Sequence, residues 1–129
     1  TDMMCMGSLG QTNRVIDNLN DMTDRVQSLD EGSSSPFDVN LPSSARLCFV
    51  DPADPSPSII GDWMPDPGLF IEDEIQANGY NMWIEYNCGS SDTGLYMKYL
   101  VTESNFCVKK GDRLLLTNTG ITVNVKKLG

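Results

Sequence analysis

Near the start of the chain, apolar residues recur at the spacing of an α-helix. Successive members of the set lie 4, 3, 4 and 3 positions apart, so they fall on one stripe of a helix whose other faces are polar. Asp30, Glu31, Gly32 and the serines that follow are typical of a helix end and a linker. We therefore predict a helix over 1–32 and a linker over 33–36. The helix contact stripe comprises Val15, Leu19, Met22, Val26 and Leu29.

The spacing of this stripe does not say what it faces. In one interpretation, the stripe packs against the rest of the same chain as part of its core. In the other, those residues of the stripe that remain exposed contact neighbouring subunits. The periodicity supports the two interpretations equally.

Beyond the linker, the helical period gives way to the alternation of β-strands. Alternation, or a short apolar run between turn residues, indicates strands at 37–41, 46–50, 80–86, 95–101, 106–108, 114–116 and 121–125. Short turns join the last three strands, which predicts an antiparallel meander. We expect an α+β fold, with the amphipathic N-terminal helix packed on a small antiparallel β domain over 37–129. This domain would be a sandwich or a rolled meander sheet.

The aromatic residues of the predicted β domain could pack in the core or form a binding surface. Alternation directs Tyr96 and Lys98 outward. It also places Trp83 opposite Met82 and Ile84, where an exposed Trp would offer a contact surface to the helix or a partner. A stacking platform is a further interpretation, although core and cross-strand packing explains most of these rings. The platform would comprise Tyr80, Trp83, Tyr86, Tyr96 and Tyr99.

Charge narrows the range of partners. The 129 residues include 18 acidic and 9 basic side chains, which gives a formal charge of −9. Such a chain should be repelled by nucleic acids and by anionic membranes, so we expect no nucleic-acid partner. The sequence has no apolar run of about 18 residues, so contact with a membrane would need a segment absent from this chain.

The cysteines favour disulfides. The chain has 4 cysteines, no CxxC motif and no histidine, which does not suit a structural zinc site. An even count in a small, strand-rich chain favours disulfides and an oxidising compartment, with buried free thiols as the alternative. Cys48 and Cys107 both lie mid-strand between bulky apolar residues, so we predict a bridge between them. Cys5 and Cys88 would then pair by elimination.

Candidate catalytic groups are few. Without histidine, the Ser–His–Asp and Cys–His arrangements cannot form. A small carboxylate-based hydrolase using Glu72, Asp62 or Asp66 is an alternative, but adjacent Glu72 and Asp73 would point to opposite faces of a strand. A solvated acidic edge is the simpler interpretation. We therefore expect neither an enzyme nor a resident cofactor.

Two proline-rich loops, at 51–58 and 61–68, carry the candidate metal ligands. Loop carboxylates can bind Ca²⁺ together with backbone carbonyls, although aspartate beside proline also simply favours turns. A secreted ligand-binding or calcium-binding module that uses these loops, with calcium or a glycan as the ligand, is therefore an alternative function. The possible calcium ligands are Asp51, Asp54, Asp62 and Asp66.

Three segments carry a resemblance to a known group of proteins. They are NRVIDNLNDM at 13–22, DVNLPSSARLCFVD at 38–51 and FCVKKGDRLLLTNTGITVNVKK at 106–127. This order resembles the external part of small archaeal membrane-anchored surface proteins of the type IV pilin-like kind. The matching positions are Leu41, Pro42, Leu47, Cys48, Phe49, Cys107, Val108, Gly111, Leu114, Leu116, Asn118, Gly120, Val123 and Val125.

The resemblance implies a structural or adhesive protein at the cell surface. Such a chain would be a filament subunit or a membrane-anchored ectodomain, and its partners would be other copies of itself or other surface-protein subunits. The hydrophobic half-helix of that group is absent from Thr1 onward, so this chain would reach a membrane only through a further segment. We expect an extracellular or cell-surface location.

Overall fold

The computed structural model describes residues 2–43, 45–53, 75–86 and 93–128. Helix α1 spans Asp2–Gln27, and a single helical turn lies at 75–78. The strands are β1 Ser34–Asp38, β2 Ala45–Phe49, β3 Met82–Tyr86, β4 Thr93–Leu95, β5 Leu100–Val101, β6 Phe106–Val108, β7 Arg113–Asn118 and β8 Val123–Leu128.

These strands form two four-stranded sheets. Sheet A has the order β1-β7-β8-β5, and sheet B has the order β4-β3-β2-β6. Neighbouring strands run antiparallel, except for the parallel pair β5 and β8. The predicted α+β class, with an N-terminal helix and largely antiparallel sheets, is thus confirmed. Across the described residues, no helix is both long enough and apolar enough to span a membrane.

The predicted meander of the last three strands is wrong. β7 and β8 do form a hairpin, but β6 pairs with β2 in sheet B. The turn at 109–112 therefore carries the chain from one sheet to the other. Gly111 in this turn has a φ of 93°, and its N–H donates to the carbonyl of Val39. A short turn joins two strands that are close in sequence, but it does not require that they share a sheet. Here β6 pairs with the distant strand β2.

Two other strands differ from their predicted bounds. β1 begins at Ser34, inside the segment predicted as a linker, and it includes Pro36. Proline is tolerated there because β1 is an edge strand, where one side needs no N–H donor. The predicted strand at 95–101 is broken into β4 and β5 by a turn at 97–100.

Trp83 is buried, so the prediction that it is exposed on a sheet face is wrong. The faces of β2 and β3 that carry Leu47 and Ile84 join the main core. The opposite faces form a second cluster, in which Trp83 packs with Cys48 and Ile75. Because both faces of this part of sheet B are buried, alternation in the sequence could not distinguish an inner side from an outer one.

The main core combines residues from α1 and from both sheets. Val15, Leu19 and Val26 of the helix contact stripe are buried in it, and Met22 packs partly buried at its edge. Leu29 follows the end of the helix and is 47% exposed. The helix contact stripe is therefore mostly intramolecular core. The strand residues of this core include Leu47, Phe49, Met82, Ile84, Leu114, Leu116, Val123 and Val125.

Asn118, at the end of β7, fastens the C-terminal end of α1. Its Nδ2 lies 3.1, 3.1 and 2.7 Å from the carbonyl oxygens of Val26, Gln27 and Leu29. Its Oδ1 accepts a hydrogen bond of 2.8 Å from the N–H of Gly120. The last carbonyls of a helix have no partner within the helix, so this buried amide satisfies them and ties α1 to the β7–β8 turn.

The Cys48–Cys107 disulfide is confirmed. The two residues are direct partners in the β2–β6 register, and the bridge joins positions 59 apart in the sequence. A disulfide suggests an oxidising environment. The predicted partnership of Cys5 with Cys88 lies outside the described residues, since Cys88 is not among them and the side chain of Cys5 is not described.

Replacing Asn118 by Asp tests the helix anchor. Asn118→Asp keeps the shape and the acceptor for Gly120, but it turns a carboxylate oxygen toward the helix carbonyls. We expect a loss of about 1–3 kcal/mol in the free energy of unfolding, measured by urea denaturation, with faster amide exchange at 26–29. Asn124→Asp in the adjacent strand β8 is the matched control and should change stability little. Equal losses in the two variants would contradict the assigned anchor.

Removing the disulfide should destabilise the fold, because the unfolded chain then gains conformational entropy. The variant with both Cys48→Ala and Cys107→Ala is expected to lose about 4 kcal/mol, the chain-entropy cost for a loop of this length. Urea denaturation of the oxidised parent and of the double variant measures the difference. An unchanged midpoint would mean that this bridge does not constrain the unfolded state.

Candidate functional site

A cleft of about 380 Å³ lies beside the turn at 97–100. Tyr96, Tyr99 and Val101 line it, as do Asp51 and Pro52. We call it the tyrosine cleft. Ligand sites are typically concavities of about 300–1,000 Å³ with apolar and aromatic walls and a few polar groups, which is the character of this cleft.

Buried Asn81, just before β3, holds the turn that forms one wall. Its Nδ2 donates to the carbonyls of Met97 and Leu100, at 2.8 and 3.0 Å, and its Oδ1 accepts from the N–H of Met97 at 2.8 Å. The Asn81 backbone continues the link, since its N–H donates to Leu95 and its carbonyl accepts from Val50. The Asn81 side chain thus holds a turn within 95–101, where the sequence predicted a continuous strand.

Tyr99 has the backbone conformation of a glycine. Its φ is 74°, and no other described residue except glycine has a positive φ. The Leu100 N–H donates to Met97, which closes a turn with Tyr99 at the position where type II turns require positive φ. The conformation costs a non-glycine residue about 1–3 kcal/mol. The hydrogen bond from Val123 N–H to the Tyr99 carbonyl, at 2.7 Å, helps to hold it.

The large exposed apolar side chains of the described residues lie at this end of the molecule. Tyr96 is 67% exposed and Val101 is 41% exposed, and both line the cleft. Ile121, 84% exposed, precedes cleft residue Thr122 in the β7–β8 turn, and Leu29 lies at the helix end that Asn118 ties to this turn. We call these four residues the apolar end. Clustered apolar exposure marks contact sites more often than scattered exposure does.

The opposite end of the sheets is basic. The turn at 109–112 and the end of β8 meet there, because Leu114 pairs with Lys127 and Leu115 pairs with Lys126. Lys127 Nζ lies 3.6 Å from Asp112 Oδ2, and Arg113 Nε lies 2.8 Å from Asp38 Oδ1. The exposed basic residues of this end are Lys109, Lys110, Arg113, Lys126 and Lys127.

Of the predicted calcium ligands, the structure describes Asp51. Its Oδ1 accepts a hydrogen bond of 2.9 Å from the N–H of Ala53, as expected for an aspartate that initiates a turn. Asp54, Asp62 and Asp66 lie outside the described residues, as does the loop at 61–68. Within the described ranges, no group of three or more metal-binding side chains is assembled. Calcium binding by the two loops therefore stays a prediction.

The candidate carboxylates of a hydrolase, Glu72, Asp62 and Asp66, also lie outside the described residues. A carboxylate that the sequence did not single out is buried instead. Glu85 Oε2 lies 2.6 Å from Arg46 Nη2, and the two residues face each other across β2 and β3. Buried charges need such pairing, so we assign Arg46 and Glu85 a structural role. The alternation of polar residues was visible in the sequence, but the register that pairs them was not.

Sequence reasoning found only part of the cleft. Tyr96 was expected to face outward, and its exposure confirms this. Tyr99 was expected on the opposite face of a continuous strand, whereas the turn brings its ring to the same cleft. The local sequence did not predict that turn, because a tyrosine occupies the position where glycine is typical.

The chain matches no protein-family model, no curated protein and no solved structure. Its function is therefore inferred from the chemistry and geometry of its own residues. The pilin-like resemblance of its three segments stays a prediction.

Asn81 should be essential for the shape of the cleft. In Asn81→Leu, the N–H of Met97 and the carbonyls of Met97 and Leu100 lose their partner. Each buried group left unpaired should cost about 1–3 kcal/mol, measured by urea denaturation, and the Met97 amide should exchange faster. Met82→Leu, a volume-conserving change at the next residue, is the control and should cost less than about 1.5 kcal/mol. A stable Asn81→Leu protein with a protected Met97 amide would contradict the assignment.

Proposed function

We propose that this chain is an extracellular structural or interaction protein, either a pilin-like filament subunit or the ectodomain of a membrane-anchored surface protein. The observation that carries the proposal is the attachment of α1 to the β domain. Val15, Leu19 and Val26 are buried in the common core, and Asn118 fastens the end of the helix. A protein that is held through its N-terminal helix needs such a rigid connection, because force on the helix must reach the domain without unfolding it.

The disulfide supports an extracellular location. A bridge between β2 and β6 persists in oxidising compartments and is rare in the cytosol. It also joins distant parts of the chain within one sheet, which resists mechanical or thermal opening.

The charge of −9 argues further against partners that are polyanions.

The apolar end supports an interaction role. Leu29 was predicted to contact neighbouring subunits if it remained exposed, and Ile121 is exposed on the β7–β8 turn to which Asn118 ties Leu29. Aliphatic side chains of this size at the surface gain free energy when a partner covers them. The partners we propose are further copies of the chain or other surface-protein subunits.

A secreted ligand-binding module is the second candidate function. The tyrosine cleft favours it, because Asp51 and Pro52 of the predicted ligand-binding loop line that cleft. The two functions are compatible, since a surface subunit can also bind a ligand.

Chemical cross-linking on intact source cells tests the first proposal. A membrane-impermeant, amine-reactive cross-linker should label the chain from outside, and the peptides should contain the Cys48–Cys107 bridge. Lys98, beside the cleft, should appear in cross-links to another chain. The combined Leu29→Ser and Ile121→Ser variant should lose most of these cross-links while Lys98 is still labelled, and Asn20→Ser on the exposed helix face should keep them. Labelling that requires cell lysis, with reduced Cys48 and Cys107, would overturn the proposal.

A further inference from the structure

We propose that the tyrosine cleft binds a neutral saccharide, with the rings of Tyr96 and Tyr99 as packing surfaces and Asp51 as an acceptor for sugar hydroxyls. This inference gives a ligand class to the second candidate function. It does not depend on whether the chain is a filament subunit.

The walls of the cleft suit a ligand that is apolar on its faces and polar at its edges. Tyr96 is 67% exposed and presents its ring to solvent beside Tyr99 and Val101. Sugar rings carry C–H groups on their faces, and these pack on the electron-rich face of an aromatic ring. Tyrosine adds a hydroxyl at the ring edge, where a saccharide presents its own hydroxyls.

The charges around the cleft favour a neutral ligand over an ion of either sign. An anionic ligand would be repelled by Asp51 and by the charge of −9 on the chain, although the ammonium of Lys98 lies beside the cleft. A cationic ligand would be repelled by Lys98, whose ammonium lies 4.9 Å from the centroid of the Tyr99 ring and already occupies the cation–π position. A neutral ligand avoids both penalties.

Polar groups at the rim are available for hydroxyls. Asp51 Oδ1 is used by the N–H of Ala53, but Oδ2 has no hydrogen-bond partner among the described residues. The Thr102 hydroxyl donates to the Ser104 carbonyl at 2.6 Å, which leaves its own lone pairs free to accept. An acceptor-rich rim beside two rings fits a ligand with several O–H donors.

The backbone of Tyr99 supports a role for its side chain. Glycine would adopt the φ of 74° without strain, so the tyrosine is not required by the turn itself. What the tyrosine adds is a ring that packs partly buried against the main core and also lines the cleft. Core packing by the ring offsets part of the backbone strain, and the part of the ring that lines the cleft offers a surface that a ligand can use.

Tyr99→Gly separates ligand binding from stability. We expect its melting temperature to change little, because relief of the strained turn offsets the core packing that the ring loses. Its affinity for saccharides should fall at least tenfold. Tyr96→Ala should also lose at least tenfold without a change in melting temperature, since its ring is mostly exposed. Leu29→Ser, at the apolar end but outside the cleft, is the matched control and should bind like the parent.

The measurement uses the full chain on a panel of neutral and anionic glycans, followed by calorimetric titration with the neutral oligosaccharides that bind best. Failure of every neutral glycan would overturn the proposal, as would preference for anionic glycans or unchanged binding in Tyr99→Gly and Tyr96→Ala. Binding of a proline-rich peptide in place of glycans would also overturn it. If cell-surface cross-links through Lys98 persist while glycan binding fails, only the ligand assignment is lost.

Discussion

The pairing of β2 with β6 is the constraint on which the rest of the structure depends. β2 lies between β3 and β6 in sheet B, and its inner residues Leu47 and Phe49 belong to the main core. The Cys48–Cys107 bridge makes its pairing with β6 covalent. Because β6 is held in sheet B, the chain must cross to sheet A within the turn at 109–112. That crossing brings β7 and β8 to the position where α1 can pack on them.

Two buried asparagines form hydrogen bonds with backbone groups that lack partners within the helix or the sheets. Asn118 satisfies the carbonyls at the end of α1, and Asn81 satisfies the turn between β4 and β5. An amide side chain suits both tasks because it carries donors and an acceptor without a charge that would need neutralising. Buried polar groups without partners are costly, so each amide gives a single arrangement to a segment that could otherwise adopt several.

The same two asparagines connect the fold to its proposed function. Asn118 ties Leu29 to the β7–β8 turn that carries Ile121, and Asn81 holds the turn that presents Tyr96 and Tyr99. The exposed apolar residues and the cleft therefore share one end of the molecule, away from the basic turn at 109–112. One end of the molecule is basic and the other is apolar. This difference arises only in the assembled sheets, because the residues that form each end come from distant parts of the chain.

Local patterns in the sequence were sufficient for the class of fold, the helix and its apolar stripe, most of the strands, and the partnership of Cys48 with Cys107, but not for what the stripe faces. Helical period, alternation and turn residues are short-range properties, and two cysteines amid apolar strand residues have few alternatives. Tertiary structure alone decided that β6 leaves the meander, that Trp83 is buried on a second covered face, and that Arg46 meets Glu85. It also decided that Tyr99 turns into a cleft with Tyr96. Each of these depends on which distant strand or amide supplies the partner, and pairing energy between residues far apart in the chain leaves no periodic signal in the sequence.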